Sequence, residues 1–338
     1  MRTRIGLSVA LALAAFSAAA VSGPKPAPYA VIRTFDAGDA FWDYGVFDDA
    51  SHRLFLGREN GVTAIDVDTG KVVPQFVEGK QVHAVVLLDG NRALATNGAL
   101  AKAVIFDRST GKILASIPTG EKPDGAVIEP VTGDAVIMDG IGHDAVFADP
   151  QKATVLGQLP LGGEPGTPIP DGHGLVFSAI SGLSEIAVID ARTRKLVTQY
   201  KLPQCDDAAG LARDADTGVL LVTCANEKAI AVDSRSGHVL GTVPIAKYPD
   251  VIQFDPARKV FYVPCIPGRL FVIAEGTGGV PRIAASVQMP VGVHTEALDT
   301  KGGVLYLPAG TIIFPKHHGE RPGVVPGTFR ILAINVAS

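Results

Sequence analysis

The chain has 338 residues, and its 47% content of hydrophobic residues is ample for a large buried core. Its formal net charge is −4 and it contains no basic block, so the electrostatic footprint of a nucleic-acid-binding protein is missing. The 38 glycines and 24 prolines supply the turns that many short strands require.

The first 20 residues have the features of a secretory signal peptide. Arg2 and Arg4 precede an uncharged run, residues 5–21, and Ala18 and Ala20 suit a small-residue cleavage site. An uncleaved anchor helix is the alternative, although the apolar run is short and rich in alanine. No later stretch is long and apolar enough to span a bilayer. We expect a signal peptide at 1–20, a short proline-rich segment at 21–28, and a periplasmic or secreted mature protein.

A strand, an acidic residue, a glycine-containing turn and a second strand recur along the chain. The acidic residues that mark the copies are Asp66, Asp107, Asp149, Asp190, Asp233 and Glu275. Successive markers are 41, 42, 41, 43 and 42 residues apart. A fixed period of about 40–45 residues built only from strands is typical of a β-propeller blade. The marker acids are expected to bind backbone N–H groups in the turns, which is a structural role.

Four apolar runs in each period predict an all-β fold, a seven-bladed β-propeller in one domain, residues 29–338. The predicted blades are residues 42–76, 83–120, 123–163, 165–203, 206–245, 249–289, and 293–336 together with 29–38. Because residues 328–336 stop before any fourth strand, residues 29–38 are predicted to supply it and to close the ring.

The last blade carries an insertion of about 18 residues, 310–327, between its second and third strands. Its prolines and glycines predict a loop. A loop at this place emerges at the mouth of the central channel, so we predict that it acts as a lid. It would bring His317 and His318 towards the channel, with residues 312–314 packed on neighbouring loops.

Ligands of propellers usually bind around the channel mouth, where the chain runs into the first strand of each blade. Counting back from the marker acids places a polar residue at this position in every blade. These residues are Asp43, His83, Asp124, Thr167, Asp207, Asp250 and His294. The candidate ligand-binding residues are Asp43, His83, Asp124, Asp207, Asp250, His294, His317 and His318.

Imidazoles beside carboxylates suit a divalent metal ion or a polar organic ligand. The candidate metal ligands are His83, His294, Asp124 and Asp250. The alternative is that these groups only line a wet channel, because the fold alone does not define a site.

The chain contains three cysteines, so at most one intrachain disulfide forms. Cys205 lies just before the first strand of a blade, and Cys224 ends the second strand of the same blade. The antiparallel hairpin brings these two ends together, which predicts a disulfide between Cys205 and Cys224 and a free Cys265.

Three motifs resemble the YVTN-repeat, YncE-like bacterial propellers over the whole mature chain. They are Gly120-x-x-Pro123-x-Gly125 before a first strand, residues 261–265 on a second strand, and Ile-Asp-x-x-Thr-Gly after a third. No segment reads Tyr-Val-Thr-Asn in full. The resemblance implies the propeller fold and leaves the activity open, because such propellers host many functions.

The expected function is that of a monomeric binding or scaffold module for a small molecule, a metal or a periplasmic protein. One alternative is a metal-dependent, lactonase-like hydrolase, in which the cation polarises a carbonyl and activates water. Another is a non-catalytic subunit of a periplasmic redox enzyme. Serine-nucleophile, phosphate-loop, dinucleotide and haem-attachment motifs are absent from the sequence.

Overall fold

The computed structural model of the protein describes residues 27–315 and 322–337. The predicted signal peptide lies outside the described residues, as do His317 and His318. Strands are numbered β1–β30 in chain order, and two short 3-10 helices, Gly98–Leu100 and Thr277–Gly279, also occur. Within the described residues no helix is long and apolar enough to cross a membrane.

Seven four-stranded antiparallel sheets form the predicted blades. Blade 1 contains β2 (Trp42–Asp48), β3 (Arg53–Arg58), β4 (Gly61–Asp66) and β5 (Val72–Glu78). Blade 2 contains β6 (Val82–Leu88), β7 (Arg92–Asn97), β8 (Lys102–Asp107) and β9 (Ile113–Pro118). Blade 3 contains β10 (Pro123–Ile128), β11 (Ala135–Asp139), β12 (Asp144–Asp149) and β13 (Thr154–Pro160).

The next three blades repeat the same strand order. Blade 4 contains β14 (Glu164–Pro170), β15 (Leu175–Ser181), β16 (Glu185–Asp190) and β17 (Lys195–Lys201). Blade 5 contains β18 (Ala208–Arg213), β19 (Val219–Cys224), β20 (Lys228–Asp233) and β21 (Val239–Pro244). Blade 6 contains β22 (Gln253–Asp255), β23 (Val260–Cys265), β24 (Arg269–Glu275) and β25 (Pro281–Gln288).

Blade 7 joins the two ends of the chain. It contains β26 (Ala297–Asp299), β27 (Val304–Ala309), β30 (Arg330–Asn335) and, outermost, β1 (Val31–Phe35). β1 runs antiparallel to β30, with Phe35 opposite Ile331. This pairing confirms that the N-terminal strand closes the ring.

The acid that follows each third strand closes its turn, as predicted. The Asp107 carboxylate accepts hydrogen bonds from the backbone N–H groups of Ser109 (3.0 Å) and Thr110 (2.8 Å). Gly111 then adopts a φ of +74°, a conformation that glycine reaches without strain. The same arrangement recurs at Asp66 and Asp233, so the sequence period reflects a repeated turn.

Two side chains, the buried Arg58 and the exposed Asp39, connect blade 7 to the start of the ring. The Arg58 guanidinium donates hydrogen bonds to the carbonyl oxygens of Gly38 (2.8 Å) and Ala40 (2.9 Å). It also lies 3.9 Å from the centre of the Phe329 ring. The Asp39 carboxylate accepts a hydrogen bond from the Gly327 backbone N–H (2.6 Å).

The insertion in blade 7 differs from the predicted loop. It contains a short hairpin of β28 (Ile312–Ile313) and β29 (Gly323–Val324), which pair antiparallel. Phe314 lies 5.6 Å from the ring of Tyr248 in blade 6. Residues 313 and 314 nevertheless stay half exposed, so the expected tight packing of this apolar run is only partial.

Cys205 and Cys224 form a disulfide, with Cα atoms 5.3 Å apart, next to the first strand of blade 5. This is the disulfide predicted from the sequence, between two cysteines that the hairpin brings together. Cys265 is a free, fully buried thiol.

Candidate functional site

The register of each blade fixes which residue lies at the channel mouth. At the start of blade 1, Trp42 pairs with Arg58 at the end of β3. The equivalent residues of blades 2 and 3 are Val82 and Pro123. The mouth residues that follow them are Asp43, His83 and Asp124.

The same register shows that the predicted mouth residues of blades 4 and 5 are wrong. Pro165 and Ala208 occupy the position of Trp42, so the mouth residues are Gly166 and Ala209. Thr167 and Asp207 are displaced because counting from the marker acid ignores differences in turn length between the strands. A polar side chain therefore does not occupy the mouth position of every blade.

Asp207 does not join the other candidate residues. It is exposed, and its carboxylate accepts hydrogen bonds from the Ser181 hydroxyl (2.5 Å) and the Gly182 backbone N–H (2.7 Å). These contacts hold the loop that follows β15 in the neighbouring blade. Asp207 thus contacts the loop after β15 and lines neither chamber, and its role in ligand binding stays a prediction.

His294 is also separate from the proposed metal ligands. Its ring is buried, with centroid distances of 5.8 Å to Phe41 and 5.0 Å to Trp42. Its Nδ1 atom donates a hydrogen bond to the Gly292 carbonyl oxygen (2.7 Å). Burial lowers the pKa of His294, which favours a neutral ring packed in the core.

The other four predicted residues of the described chain do converge. Asp43, His83, Asp124 and Asp250 line a cavity of about 490 Å³ at the channel mouth. Phe41 and Ile141 add apolar walls. This volume lies within the range of small-molecule sites, roughly 300–1,000 Å³.

A chain of ion pairs runs along one wall of the cavity. His83 Nδ1 lies 2.6 Å from an Asp43 oxygen and 3.8 Å from an Asp124 oxygen. Lys122 Nζ lies 3.8 Å from the same Asp124 oxygen and 2.9 Å from Glu164. Within the described residues, two cationic side chains line this cavity with five acids, Asp43, Glu59, Asp124, Glu164 and Asp250.

This crowding of carboxylates changes their proton affinities. Burial raises the pKa of Asp250 well above its usual range, and the charges of Asp43 and Asp124 add to the effect. Burial also raises the pKa of Asp124, against the attraction of His83. For His83, burial disfavours the charged ring, but Asp124 and Asp43 outweigh it and raise the pKa to about 9.

Close backbone packing between blades positions two of these residues. A Cβ atom at Gly57 would lie 1.9 Å from the His83 carbonyl oxygen, and one at Gly210 would lie 1.9 Å from that of Asp250. Only glycine allows these approaches. A Cβ atom at Gly98 would lie 2.7 Å from His83 Nε2, so the imidazole also depends on a missing side chain.

A second chamber of about 200 Å³ adjoins the first. Both chambers are lined by the same four acids, Asp43, Asp124, Glu164 and Asp250. The second chamber also contains the hydroxyl groups of Tyr44, Thr167 and Ser181, and the Tyr44 hydroxyl lies 3.3 Å from that of Thr167.

Glu296 places a further acid behind this ring. It is fully buried, and neither carboxylate oxygen has a hydrogen-bond partner within the part of the chain that the structure describes. Burial raises the pKa of Glu296 well above its usual range, and the nearby charge of Asp250 raises it further.

Sequence reasoning missed Lys122, Glu164 and Tyr44. Lys122 and Glu164 each precede a proline, Pro123 and Pro165, that occupies the position of Trp42 in its blade. A charged residue before this proline was the signal that could have found them. Tyr44 gave no such signal, because it follows the mouth position.

A divalent metal is chemically compatible with part of the cluster. One donor atom each from Asp43, His83 and Asp124 lie within 4.8 Å of one another. The proton that His83 Nδ1 shares with Asp43 competes with a metal at that atom, so metal binding requires its displacement.

The insertion reaches the cavity, since Pro322 is one of its lining residues. This placement agrees with the predicted direction of the insertion. The contribution of His317 and His318 stays a prediction, because they lie outside the described residues.

No family model matches the chain, and no curated protein is significantly similar to it in sequence. Three solved structures share its fold over nearly their full lengths. A chain of the mitotic checkpoint complex has 13% identity and a TM-score of 0.75, covering 96% of this chain and 100% of its own. The WD40 repeats of RRP9 have 9% identity and a TM-score of 0.76, and the match covers 92% of this chain and 99% of theirs. The β-propeller domain of Cps50 (Swd1) from Myceliophteria thermophila has 14% identity and a TM-score of 0.72, covering 92% and 100%. At such low identity the likeness establishes the β-propeller fold alone.

Proposed function

We propose that the protein is an exported binding propeller whose channel mouth takes a small, positively charged organic ligand. The observation that carries this proposal is the Asp250 carboxylate, which lines both chambers. Within residues 27–315 and 322–337 no hydrogen bond or ion pair reaches it. Burial raises the pKa of Asp250, and repulsion from Asp43 and Asp124 raises it further; a bound cation would offset this repulsion.

The charge balance of the cavity supports a cation over an anion. Among the described residues, two cationic side chains line the cavity; His83 is paired with Asp43 and Lys122 with Glu164, so both are already neutralised. The aromatic ring of Phe41 and the apolar side chain of Ile141 suit the carbon skeleton of an organic ligand.

Two sequence features support export to the periplasm or beyond. Residues 1–20 read as a secretory signal peptide. The disulfide between Cys205 and Cys224 is of the kind that persists in oxidising compartments. The resemblance to YVTN-repeat, YncE-like bacterial propellers points to the same location.

Isothermal titration at neutral pH and low salt tests the ligand class. Butylamine should bind, whereas butanol and butyrate should not, because only the amine offers a positive charge. Asp250→Asn should weaken butylamine binding by about tenfold, which corresponds to about 1.4 kcal/mol. The matched control is Asp206→Asn, since Asp206 is exposed on the same face and lines neither chamber. Equal effects of the two substitutions, or no amine binding, would contradict the proposal.

A metal-dependent, lactonase-like hydrolase is the second candidate. The donor atoms of Asp43, His83 and Asp124 favour it, because a cation held there could polarise a carbonyl and activate water. Lactone hydrolysis in the presence of zinc, manganese or calcium, compared with His83→Gln, tests this candidate. Hydrolysis that is independent of added metal and of His83 would exclude it.

A further inference from the structure

The second chamber exists because two blades present no channel-facing side chain of any size. Its wall contains Gly166 and Ala209, which occupy the mouth positions of blades 4 and 5. A Cβ atom at Gly166 would lie only 3.2 Å from the Ala209 carbonyl oxygen. The mouth positions of blades 1 to 3 are filled by Asp43, His83 and Asp124. The corresponding space beside blades 4 and 5 is therefore open.

The four shared acids lie between the two chambers and face both. A ligand with one positive charge can neutralise these acids from one chamber only. Two separated positive groups therefore match acids that face two chambers better than one positive group does.

We propose that the ligand is an elongated aliphatic dication that spans both chambers, with one ammonium group in each. This inference rests on the proposed binding of organic cations at the same site. The first ammonium group lies in the larger chamber, and the aliphatic link passes Phe41 and Ile141. The second ammonium group lies in the smaller chamber and donates hydrogen bonds to the hydroxyl oxygens of Tyr44, Thr167 and Ser181. An ammonium group has three N–H donors, one for each hydroxyl oxygen.

A series of linear diamines, from ethylenediamine to hexamethylenediamine, is compared with butylamine by titration of the full-length mature protein. We expect the best diamine to bind at least about tenfold more tightly than butylamine, a gain of about 1.4 kcal/mol. Ala209→Leu, which fills the second chamber, should abolish this preference and should weaken diamine binding more than butylamine binding. Ala209→Ser, the matched control, should keep the preference.

The outcomes separate this inference from the proposed function. If butylamine binds but no diamine binds better, or if Ala209→Leu weakens both ligands equally, the spanning dication is refuted while cation binding stands. If no amine binds at all, the proposed function itself fails. Should Ala209→Leu not melt cooperatively, the smaller Ala209→Val makes the same comparison.

Discussion

The Arg58 guanidinium lies 3.9 Å from the centre of the Phe329 ring, which joins the first blade to the last from inside the protein. Arg58 is 1% exposed, and its two hydrogen bonds reach the segment between β1 and β2. A single side chain thus connects the third strand of blade 7 to the point where the ring begins.

We expect Arg58→Met to lower the free energy of unfolding by about 3 kcal/mol, because two charge-assisted hydrogen bonds and a cation–π contact are lost. Urea unfolding followed by fluorescence measures this change. Arg282→Met, on the exposed outer strand of blade 6, is the control and should change stability by less than about 0.5 kcal/mol. Equal stabilities of the two variants would contradict the role of Arg58.

The period of the sequence predicted the blades, their order and the closing strand because each depends on local turns and strand length. The same counting misplaced Asp207, because the register of β18 is set by Cys224 across the hairpin and by the length of the intervening turn. His294 has the right position in its blade, but tertiary packing against Trp42 buries its ring. Sequence spacing carries no information on such packing.

His83 should make stability depend on pH. Its pKa is raised from 6.5 to about 9, so the folded state holds the proton more tightly than the unfolded chain. The stabilisation is fully present below pH 6.5 and is lost as the pH rises to about 9. His83→Gln should therefore cost most stability, on the order of 3 kcal/mol, at the acid end of this range.

Melting temperatures of wild type and His83→Gln across this pH range provide the measurement. The difference between the two proteins should shrink as the pH rises. His173→Gln, at an exposed turn on the opposite face, is the control and should show no such trend. A constant difference at every pH would show that His83 is not the titrating group.

Asp139 should act in the same direction as His83, at lower pH values. Burial raises its pKa to about 8, and a hydrogen bond shared with Asp144 helps to hold the proton. The folded state binds this proton more tightly than the unfolded chain, so stability falls as the pH rises from about 4 to about 8. Asp139→Asn keeps an amide that donates to Asp144 and removes the titration.

Relative to wild type, Asp139→Asn should become progressively more stable between these two pH values. Chemical unfolding at several pH values checks the sign. Asp89→Asn, at an exposed turn of blade 2, should leave the pH profile unchanged. If the stability of Asp139→Asn changes with pH in parallel with that of wild type, Asp139 and Asp144 do not share a proton.

Thiol titration of the denatured, unreduced protein should find one free sulfhydryl, that of Cys265. Replacing both Cys205 and Cys224 by serine should cost about 3 kcal/mol, because the bridge closes a loop with a sequence separation of 19 residues. Three titrated thiols in protein isolated without reductant would contradict the disulfide.

The pairing of β1 with β30 sets the timing of folding during synthesis. β1 is among the first segments of the propeller to leave the ribosome, but β30, with which it pairs, is completed some 300 residues later. The ring cannot close before nearly the whole chain has been made, and the late contact has a very large sequence separation. Until then blade 7 is incomplete, so the last step of folding must wait for the end of synthesis.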